Sequence, residues 1–273
     1  MSLPSPARLA FLSLGLAVMA LGAHGAIWGP QSWPLLSALG GGWAVLSTLG
    51  VFFPCLRMYD SVVCRGQTGR SEVALTFDDG PHPVSTRRVL EILATTRHRA
   101  TFFVLGDKSR RHPEVLREIV AAGHALGIHG DRHDRLHSFR TAGRVELDIA
   151  RAQDSVEAAT GFRPRLFRPP LGHTSPATVR GARRAGVTLV GWSARGYDGM
   201  RGADPAVVAR RVARTLADGA IVLLHDAAER DDFEPAGIAA LPAMLALLDE
   251  RALQSVPLDA WERALPALSS RAG

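Results

Sequence analysis

The chain has 273 residues, of which 47% are hydrophobic and 21% charged, enough for one large domain with additional segments. Its formal net charge is +6 at pH 7, but the basic side chains are scattered arginines, with Lys108 the only lysine. Aromatic residues make up only 6%, so the composition argues against a nucleic-acid partner. Cys55 and Cys64 are too few for a disulfide scaffold or a cysteine metal site, and the sequence leaves open whether they pair.

The first 54 residues are far more apolar than the rest. Apolar runs at 9–28 and 35–53 approach the length needed to span a bilayer and contain no Asp, Glu, Lys or Arg. Between them lies GPQSWP, which has the composition of a turn. We expect residues 1–54 to form a membrane-anchoring transmembrane hairpin. The alternative is a cleaved signal peptide that ends near GAHGA, although the mature protein would then begin with a second apolar run.

The arginines near this hairpin predict its orientation. Arg8 precedes the first run and Arg57, Arg65 and Arg70 follow the second, whereas the turn carries no charge. Positive residues beside spans tend to stay in the cytoplasm. We therefore expect a protein of the bacterial inner membrane whose main domain lies in the cytoplasm, with both cysteines reduced. If the first run is cleaved or the second does not span, the domain is periplasmic.

Residues 55–71 are expected to be a linker, 72–265 one α/β domain and 266–273 a C-terminal tail. From Glu72 onward, short apolar runs alternate with helical patterns. Runs of this length are typical of buried parallel strands joined by crossover helices. The expected strands are VALTF, ATFFVLG, ALGIHG, RLFRPP, VTLVGWS, AIVLLHD and LQSVPL. The pattern predicts an α/β barrel or a doubly wound sheet.

Polar residues that could catalyse a reaction or bind a metal lie at or just after the ends of these strands. They are Asp78 and Asp79 after the first, His129 and His133 after the third, Arg168 after the fourth, Asp198 after the fifth and His225 at the end of the sixth. In parallel α/β folds the carboxyl ends of the strands meet at one edge, where active sites are built. We therefore expect these side chains to converge.

His129 and His133 have the spacing H-x3-H, which on a helical turn lets two imidazoles share a metal ion. With Asp79 as a third ligand, open positions remain for water and substrate. Asp78 would then remain free as a base, which explains why two adjacent carboxylates are needed. The alternative without a metal makes the histidines polar loop residues and one aspartate a turn cap.

The segments TFDDGP, HGDRH, FRPPLG, GWSARGYD and IVLLHD occur in the order and spacing of the polysaccharide deacetylases, and the chain resembles this family from about Glu72 to Trp261. The family is carbohydrate esterase family 4, with the chitooligosaccharide-deacetylase-like domain. The resemblance implies a distorted (β/α) barrel of seven to eight strands. It also implies a metal-dependent hydrolase that removes an acetyl group from a sugar.

The resemblance further implies a role for each site residue. Asp78 is implied as the general base, Arg168 as the group that orients it and His225 as the general acid, while Asp198 is expected to pair with Arg168. The implied metal ligands are Asp79, His129 and His133, and the expected ion is Zn²⁺, with Co²⁺, Ni²⁺, Mn²⁺ and Fe²⁺ also suited to this donor set. The expected substrate-binding residues are Pro169, Pro170, Leu171, Trp192, Leu223 and Leu224, with the Leu171 N–H beside the oxyanion.

Four positions depart from the family pattern: Gly130 replaces Ser or Thr, Leu171 replaces Tyr, Arg195 replaces Asp and Gly199 replaces Trp. We expect the substrate to be an N-acetylated sugar of a polysaccharide or of a lipid-linked glycan precursor. One alternative is a deformylase or other non-peptide amide hydrolase that acts on a lipid-linked sugar. Another is a catalytically silent carbohydrate-binding domain.

Overall fold

The protein is represented by a computed structural model that describes residues 4–29, 33–60 and 62–264. The predicted tail at 266–273 lies outside these ranges. Two helices come first, α1 (Pro6–Trp28) and α2 (Trp33–Phe52). The Ser5 side chain caps α1 by accepting a hydrogen bond from the Arg8 N–H. Both helices are long and apolar enough to cross a membrane, and almost none of their apolar stretch is buried within the protein.

The remainder folds around one curled parallel sheet. Its strands are β1 (Glu72–Asp78), β2 (Ala100–Val104), β3 (Ala125–Ile128), β4 (Leu166–Phe167), β5 (Thr188–Leu189), β6 (Ala194–Arg195), β7 (Ile221–His225) and β8 (Gln254–Ser255). The strand order is β5-β4-β3-β2-β1-β7-β6, and β8 pairs with the start of β1. The predicted distorted barrel of seven to eight strands is confirmed. Within the fifth expected run only the short strand β5 forms, and a second short strand, β6, follows directly after that run.

Helices cover the outer face of this sheet. They are α3 (Ser85–Ala94), α4 (Gly106–Arg111), α5 (Pro113–Ala121), α6 (Ala142–Thr160), α7 (Pro176–Arg184), α8 (Pro205–Thr215) and α9 (Ala236–Glu250). The side chains of Thr141, Ser175 and Asp204 cap the N-termini of α6, α7 and α8. Six of the seven residues of β1 are buried, because helices cover one face and a second hydrophobic cluster, which includes Ala74, Phe103 and Trp261, lies on the other.

The segment predicted as a linker packs against the sheet. Val63 donates to the Leu189 carbonyl at 2.9 Å and accepts from the Gly191 N–H at 2.9 Å, which extends the edge at β5. Cys55 and Cys64 form a disulfide within this segment. The expectation of two reduced thiols is therefore wrong, because the fold brings the two sulfur atoms together beside Gly191.

The end of α2 rests on the loop that follows β4. The Thr174 N–H donates to the Val51 carbonyl at 3.0 Å, and the rings of Phe52 and His173 meet edge to face with centroids 4.6 Å apart. The helical hairpin is thus held against the same loop that carries the Arg-Pro-Pro motif.

Candidate active site

The carboxyl ends of the strands form one cavity of about 520 Å³. Parallel pairing of β1 with β7 places Asp78 directly beside His225, although 147 positions separate them in the chain. Six of the seven residues predicted to be catalytic or metal-binding line this cavity: Asp78, Asp79, His129, His133, Asp198 and His225. Arg168 lies beneath it and is fully buried. The sequence-predicted catalytic and ligand residues are therefore brought together.

Asp79, His129 and His133 present their side-chain donors to one point. Asp79 Oδ1 lies 3.5 Å from His129 Nε2 and 3.7 Å from His133 Nε2. All three donors lie within 4.8 Å of one another, and Asp79 Oδ1 is buried without a hydrogen-bond partner. Asp79 has a left-handed backbone (φ 74°), and one carboxylate oxygen each of Asp78 and Asp79 lies within 4.0 Å of His129 Nε2. Two imidazoles and an unsatisfied carboxylate oxygen fit a divalent transition metal.

The other nitrogen of each imidazole has an acceptor nearby. His129 Nδ1 lies 2.8 Å from the Arg168 carbonyl, and His133 Nδ1 lies 3.5 Å from Glu229 Oε2. The His129 contact is a hydrogen bond, which fixes the ring orientation of a metal-binding histidine, whereas His133 Nδ1 has no hydrogen-bond partner among the described residues. Burial lowers the pKa of His129, and His133 lowers it further, so His129 is neutral and can bind a metal. Sequence reasoning missed Glu229, since only the loop after β7 brings it to His133.

Asp78 is held by Arg168 from below. Arg168 Nη1 donates to Asp78 Oδ1 at 2.6 Å and to Thr76 Oγ1 at 2.8 Å, and Nη2 donates to the Gly191 carbonyl at 3.0 Å. The guanidinium also packs over the Phe103 ring, 4.2 Å from its centroid. Burial raises the pKa of Asp78, and the guanidinium opposes that shift by stabilising the carboxylate.

Asp198 pairs with His225, not with Arg168 as the sequence suggested. Asp198 Oδ2 accepts from the His225 backbone N–H at 2.8 Å, and Oδ1 accepts from His225 Nδ1 at 3.1 Å. The loop between β6 and α8 carries Asp198 over β7, away from the guanidinium. Burial disfavours the charged imidazole, but Asp198, together with Asp79 and Asp78, raises the pKa of His225 to about 10.

The expected substrate-binding residues divide into two groups. Leu171, Trp192 and Leu223 line the cavity, and 46% of Leu171 is exposed. Leu224, Pro169 and Pro170 are buried and do not line it. Successive side chains of a strand point to opposite faces, so Leu223 faces the cavity while Leu224 packs in the helix-covered core. The two prolines instead shape the turn that presents Leu171.

Two glycines that depart from the family pattern have structural reasons. Gly130 has a left-handed backbone (φ 97°), and a Cβ there would lie 2.9 Å from Asp148 Oδ2. The Asp131 N–H donates to that Asp148 oxygen at 3.2 Å and so helps to hold this loop. A Cβ on Gly199 would lie 2.9 Å from the imidazole atoms Cε1 and Nδ1 of His225. The His225 ring therefore occupies space that a larger side chain at position 199 would need.

Comparison with known proteins agrees with this site. The sequence profile described as polysaccharide deacetylase matches residues 65–190. A chitooligosaccharide deacetylase of Sinorhizobium fredii is 34% identical over 73% of this chain and 96% of its own length. A peptidoglycan-N-acetylglucosamine deacetylase of Bacillus cereus is 35% identical over 56% of this chain and 72% of its own. The chain belongs to the polysaccharide deacetylase family.

Solved structures show the same fold. A family 4 carbohydrate esterase from Streptomyces lividans, in complex with acetate, aligns with a TM-score of 0.61 and 30% identity over 70% of this chain and 92% of its own. A CE4 family pseudoenzyme from Bacillus anthracis aligns with a TM-score of 0.67 and 25% identity over 76% of this chain and 70% of its own. Because a pseudoenzyme shares the fold, the argument for activity must come from the side chains of the site.

Proposed function

We propose that this protein is a metal-dependent hydrolase that removes the acetyl group from an N-acetylated sugar of a glycan. The observation that carries the proposal is one cavity that holds three metal-ligand side chains, a buried carboxylate and an imidazole on its opposite wall. The similarity to a chitooligosaccharide deacetylase and a peptidoglycan-N-acetylglucosamine deacetylase supports an N-acetylated sugar as the substrate.

Asp79, His129 and His133 would hold the divalent cation, for which Zn²⁺ is our first assignment. The chemistry that such a cation supplies when bound is Lewis acidity, which polarises a carbonyl and makes water more acidic. The orphaned Asp79 oxygen supports this assignment, because a buried carboxylate oxygen without a partner carries a desolvation cost that a cation would offset.

Asp78 acts as the general base in this proposal. Arg168 engages its Oδ1, which leaves Oδ2 to accept a proton from the water that attacks the acetyl carbonyl carbon. Because the guanidinium cannot lose its proton at working pH, its charge favours the ionised form of Asp78 and opposes the effect of burial. The Leu171 N–H, at the exposed turn beside the cavity, would donate to the oxygen that becomes negative.

His225 acts as the general acid. Its Nδ1 is committed to Asp198, so Nε2 donates a proton to the sugar nitrogen as the carbon–nitrogen bond breaks. The products are acetate and a free amino sugar. Leu223, on the cavity wall, would contact the acetyl methyl group.

The proposal is tested with the purified full-length protein in detergent. Acetate release and product mass are measured on chitooligosaccharides and peptidoglycan fragments, with and without added Zn²⁺. Asp79→Ala should lose both bound metal and turnover. Asp78→Asn should retain the metal and lose about 10² to 10⁴ in turnover. The base assignment fails if Asp78→Asn remains nearly as active as the wild type.

The same assay separates the alternatives. Formate release from a formylated lipid-linked sugar, without acetate release, would favour a deformylase. A catalytically silent domain would bind chitooligosaccharides without any product. The presence of a proposed base, three proposed metal ligands and a proposed acid in one cavity argues against a catalytically silent domain.

We also propose that α1 and α2 form a membrane hairpin and that the domain lies on the outer side of the membrane. The Cys55–Cys64 disulfide supports this location, because disulfides persist in oxidising compartments. The flanking arginines favour the opposite side, but Arg65 donates to the Asp218 carbonyl at 3.3 Å as part of the folded domain. Large domains cross membranes largely regardless of such charges.

Alkaline phosphatase fused after Gly273 tests this orientation, because the phosphatase is active only where its disulfides form. We expect strong phosphatase activity in cells. An inactive fusion of full length would place the domain in the cytoplasm. Gel mobility of the native protein after thiol alkylation reports independently whether Cys55 and Cys64 are paired.

A further inference from the structure

A second cavity of about 490 Å³ adjoins the catalytic one. The two share Trp192, Arg195 and Tyr197 along their common wall. The far side of the second cavity is formed by Phe52 and Phe53, where α2 ends. This cavity therefore runs from the catalytic centre to the end of a helix that is long enough to span a bilayer.

Three arginines give the second cavity a strong positive charge. Arg195, Arg211 and Arg214 line it, and within the described ranges no Asp or Glu forms an ion pair with them. Arg135, which lines the catalytic cavity, is by contrast paired with Glu229. Three guanidinium groups that line one cavity without an acidic partner in the described part of the chain favour an anionic ligand.

Aromatic packing orders two of these cations. The Arg195 guanidinium lies 4.2 Å, and that of Arg211 5.3 Å, from the centroid of the Tyr197 ring. Arg211 also donates to the Gly196 carbonyl at 3.4 Å. Stacked guanidinium groups keep N–H donors free at their edges, which suits bidentate contacts to phosphate oxygens.

The opposite side of the cavity is apolar. More than half of the surface of both Phe52 and Phe53 is exposed, although both are large hydrophobic residues. We define the arginine groove as the surface formed by Arg195, Arg211 and Arg214 together with these two phenylalanines. It offers cations and an apolar wall at the same place, next to a cavity proposed to take an N-acetylated sugar.

We propose that the arginine groove binds the phosphate or diphosphate group of a lipid carrier whose N-acetylated sugar occupies the catalytic cavity. The proposal rests on the deacetylase function and membrane hairpin proposed above. Arg195 lines both cavities, so a phosphate bonded to it lies beside the sugar-binding space. The lipid chain would leave along Phe52 and Phe53 towards the bilayer. The substrate is thus a sugar still attached to its lipid through phosphate.

The test compares two substrates of the full-length protein in lipid nanodiscs: a prenyl diphosphate-linked N-acetylglucosamine and a soluble chitooligosaccharide. Arg211→Gln combined with Arg214→Gln should lower kcat/KM for the lipid-linked sugar about 10- to 100-fold more than for the soluble one, as expected for lost charge-assisted hydrogen bonds. Arg210→Gln, on the same helix but lining neither cavity, should leave that ratio unchanged. An equal effect of the double variant on both substrates overturns the proposal.

A binding measurement separates this inference from the deacetylase proposal. A prenyl diphosphate without sugar is titrated while the fluorescence of the protein, which includes Trp192 in the groove wall, is followed. Saturable binding that weakens in the double variant supports the groove even if the protein releases no acetate from any sugar. Absence of binding overturns it, even if chitooligosaccharides are deacetylated. If phosphatidylglycerol vesicles compete equally well with the prenyl diphosphate, the arginine groove binds bulk phospholipid. That result also overturns the assignment of a lipid-linked sugar as the substrate.

Discussion

The two walls of the active site each hold a carboxylate against a cation, yet the pairs differ in solvent access and in chemistry. On one wall, Asp78 and Arg168 are almost completely buried. On the other, Asp198 is buried but 22% of the His225 side chain is exposed to the cavity. In the first pair the carboxylate faces the catalytic cavity, and in the second pair the imidazole faces it.

This difference underlies the roles that we propose, a base for Asp78 and an acid for His225. Arginine keeps its proton, and its charge favours the ionised form of Asp78, as a proton acceptor requires. Histidine titrates, so His225 can deliver a proton and recover it from solvent. Asp198, together with Asp79 and Asp78, raises the pKa of His225 to about 10, which favours the charged imidazole at neutral pH. The identity of the cation, and which partner faces the cavity, decides the role of each pair.

The largest effect is expected where the buried pair is broken. Arg168→Met should cost about 3 to 5 kcal/mol of unfolding free energy, because it leaves the Asp78 carboxylate buried and unpaired. Turnover should also be lost. Urea denaturation measures the stability, and Asp78→Asn combined with Arg168→Met is the control. The double variant should recover much of the stability, since the neutral amide removes the buried charge. Equal instability of both variants would contradict this account.

His225→Ala should remove the acid while leaving the opposite pair intact. Turnover of amide substrates should fall by about 10² to 10⁴. Aryl acetates should be affected far less, because a phenolate leaves without a proton. Steady-state kinetics on a chitooligosaccharide and on 4-nitrophenyl acetate provide the comparison. Equal losses on both would mean that His225 does not protonate the leaving group.

Asp198→Asn should change the pH dependence of stability and of turnover more than it changes the fold. The native pKa of His225 lies above the unfolded value of about 6.5, so the pair contributes its full stability below that pH and loses it as the pH rises towards 10. The wild type should therefore lose stability between about pH 7 and 10, and Asp198→Asn should flatten this decline. The alkaline limit of kcat should move to lower pH in the variant. Unchanged profiles in both measurements would show that Asp198 does not set the charge of His225.

Gly199→Ala should have the smallest effect. The added methyl group would meet the His225 ring at 2.9 Å and displace it by a few tenths of an ångström. We expect a loss of turnover of about tenfold, since small misplacements of a reacting group are costly. Gly143→Ala is the matched control, because a Cβ there meets nothing within 4 Å. The steric argument would be wrong if both alanine variants kept wild-type activity.

Much of the site could be predicted from the sequence because its residues occupy the ends of strands. Apolar runs with sharp ends predicted the positions of β1, β3, β4 and β7. The carboxyl ends of parallel strands lie at a shared edge of the sheet, so the residues there converge. The pairing of Asp198 could not be predicted, since it depends on the path of an irregular loop over β7. Leu224 was misassigned because adjacent residues of a strand face opposite sides. Only the first part of the fifth apolar run forms a strand, because at Gly191 the chain instead contacts Val63 and the disulfide.

The sequence by itself determined the chemistry that this protein carries: two adjacent carboxylates, a histidine pair, an arginine and a further histidine, spaced by strands and helices. These follow from residue type and hydrophobic periodicity, which are local properties of the chain. Only the tertiary structure decided which carboxylate holds which cation, that Glu229 lies behind His133, and that the cysteines pair. It also placed three unpaired arginines beside the end of α2. Each of these depends on contacts between residues far apart in the chain, which no local pattern encodes.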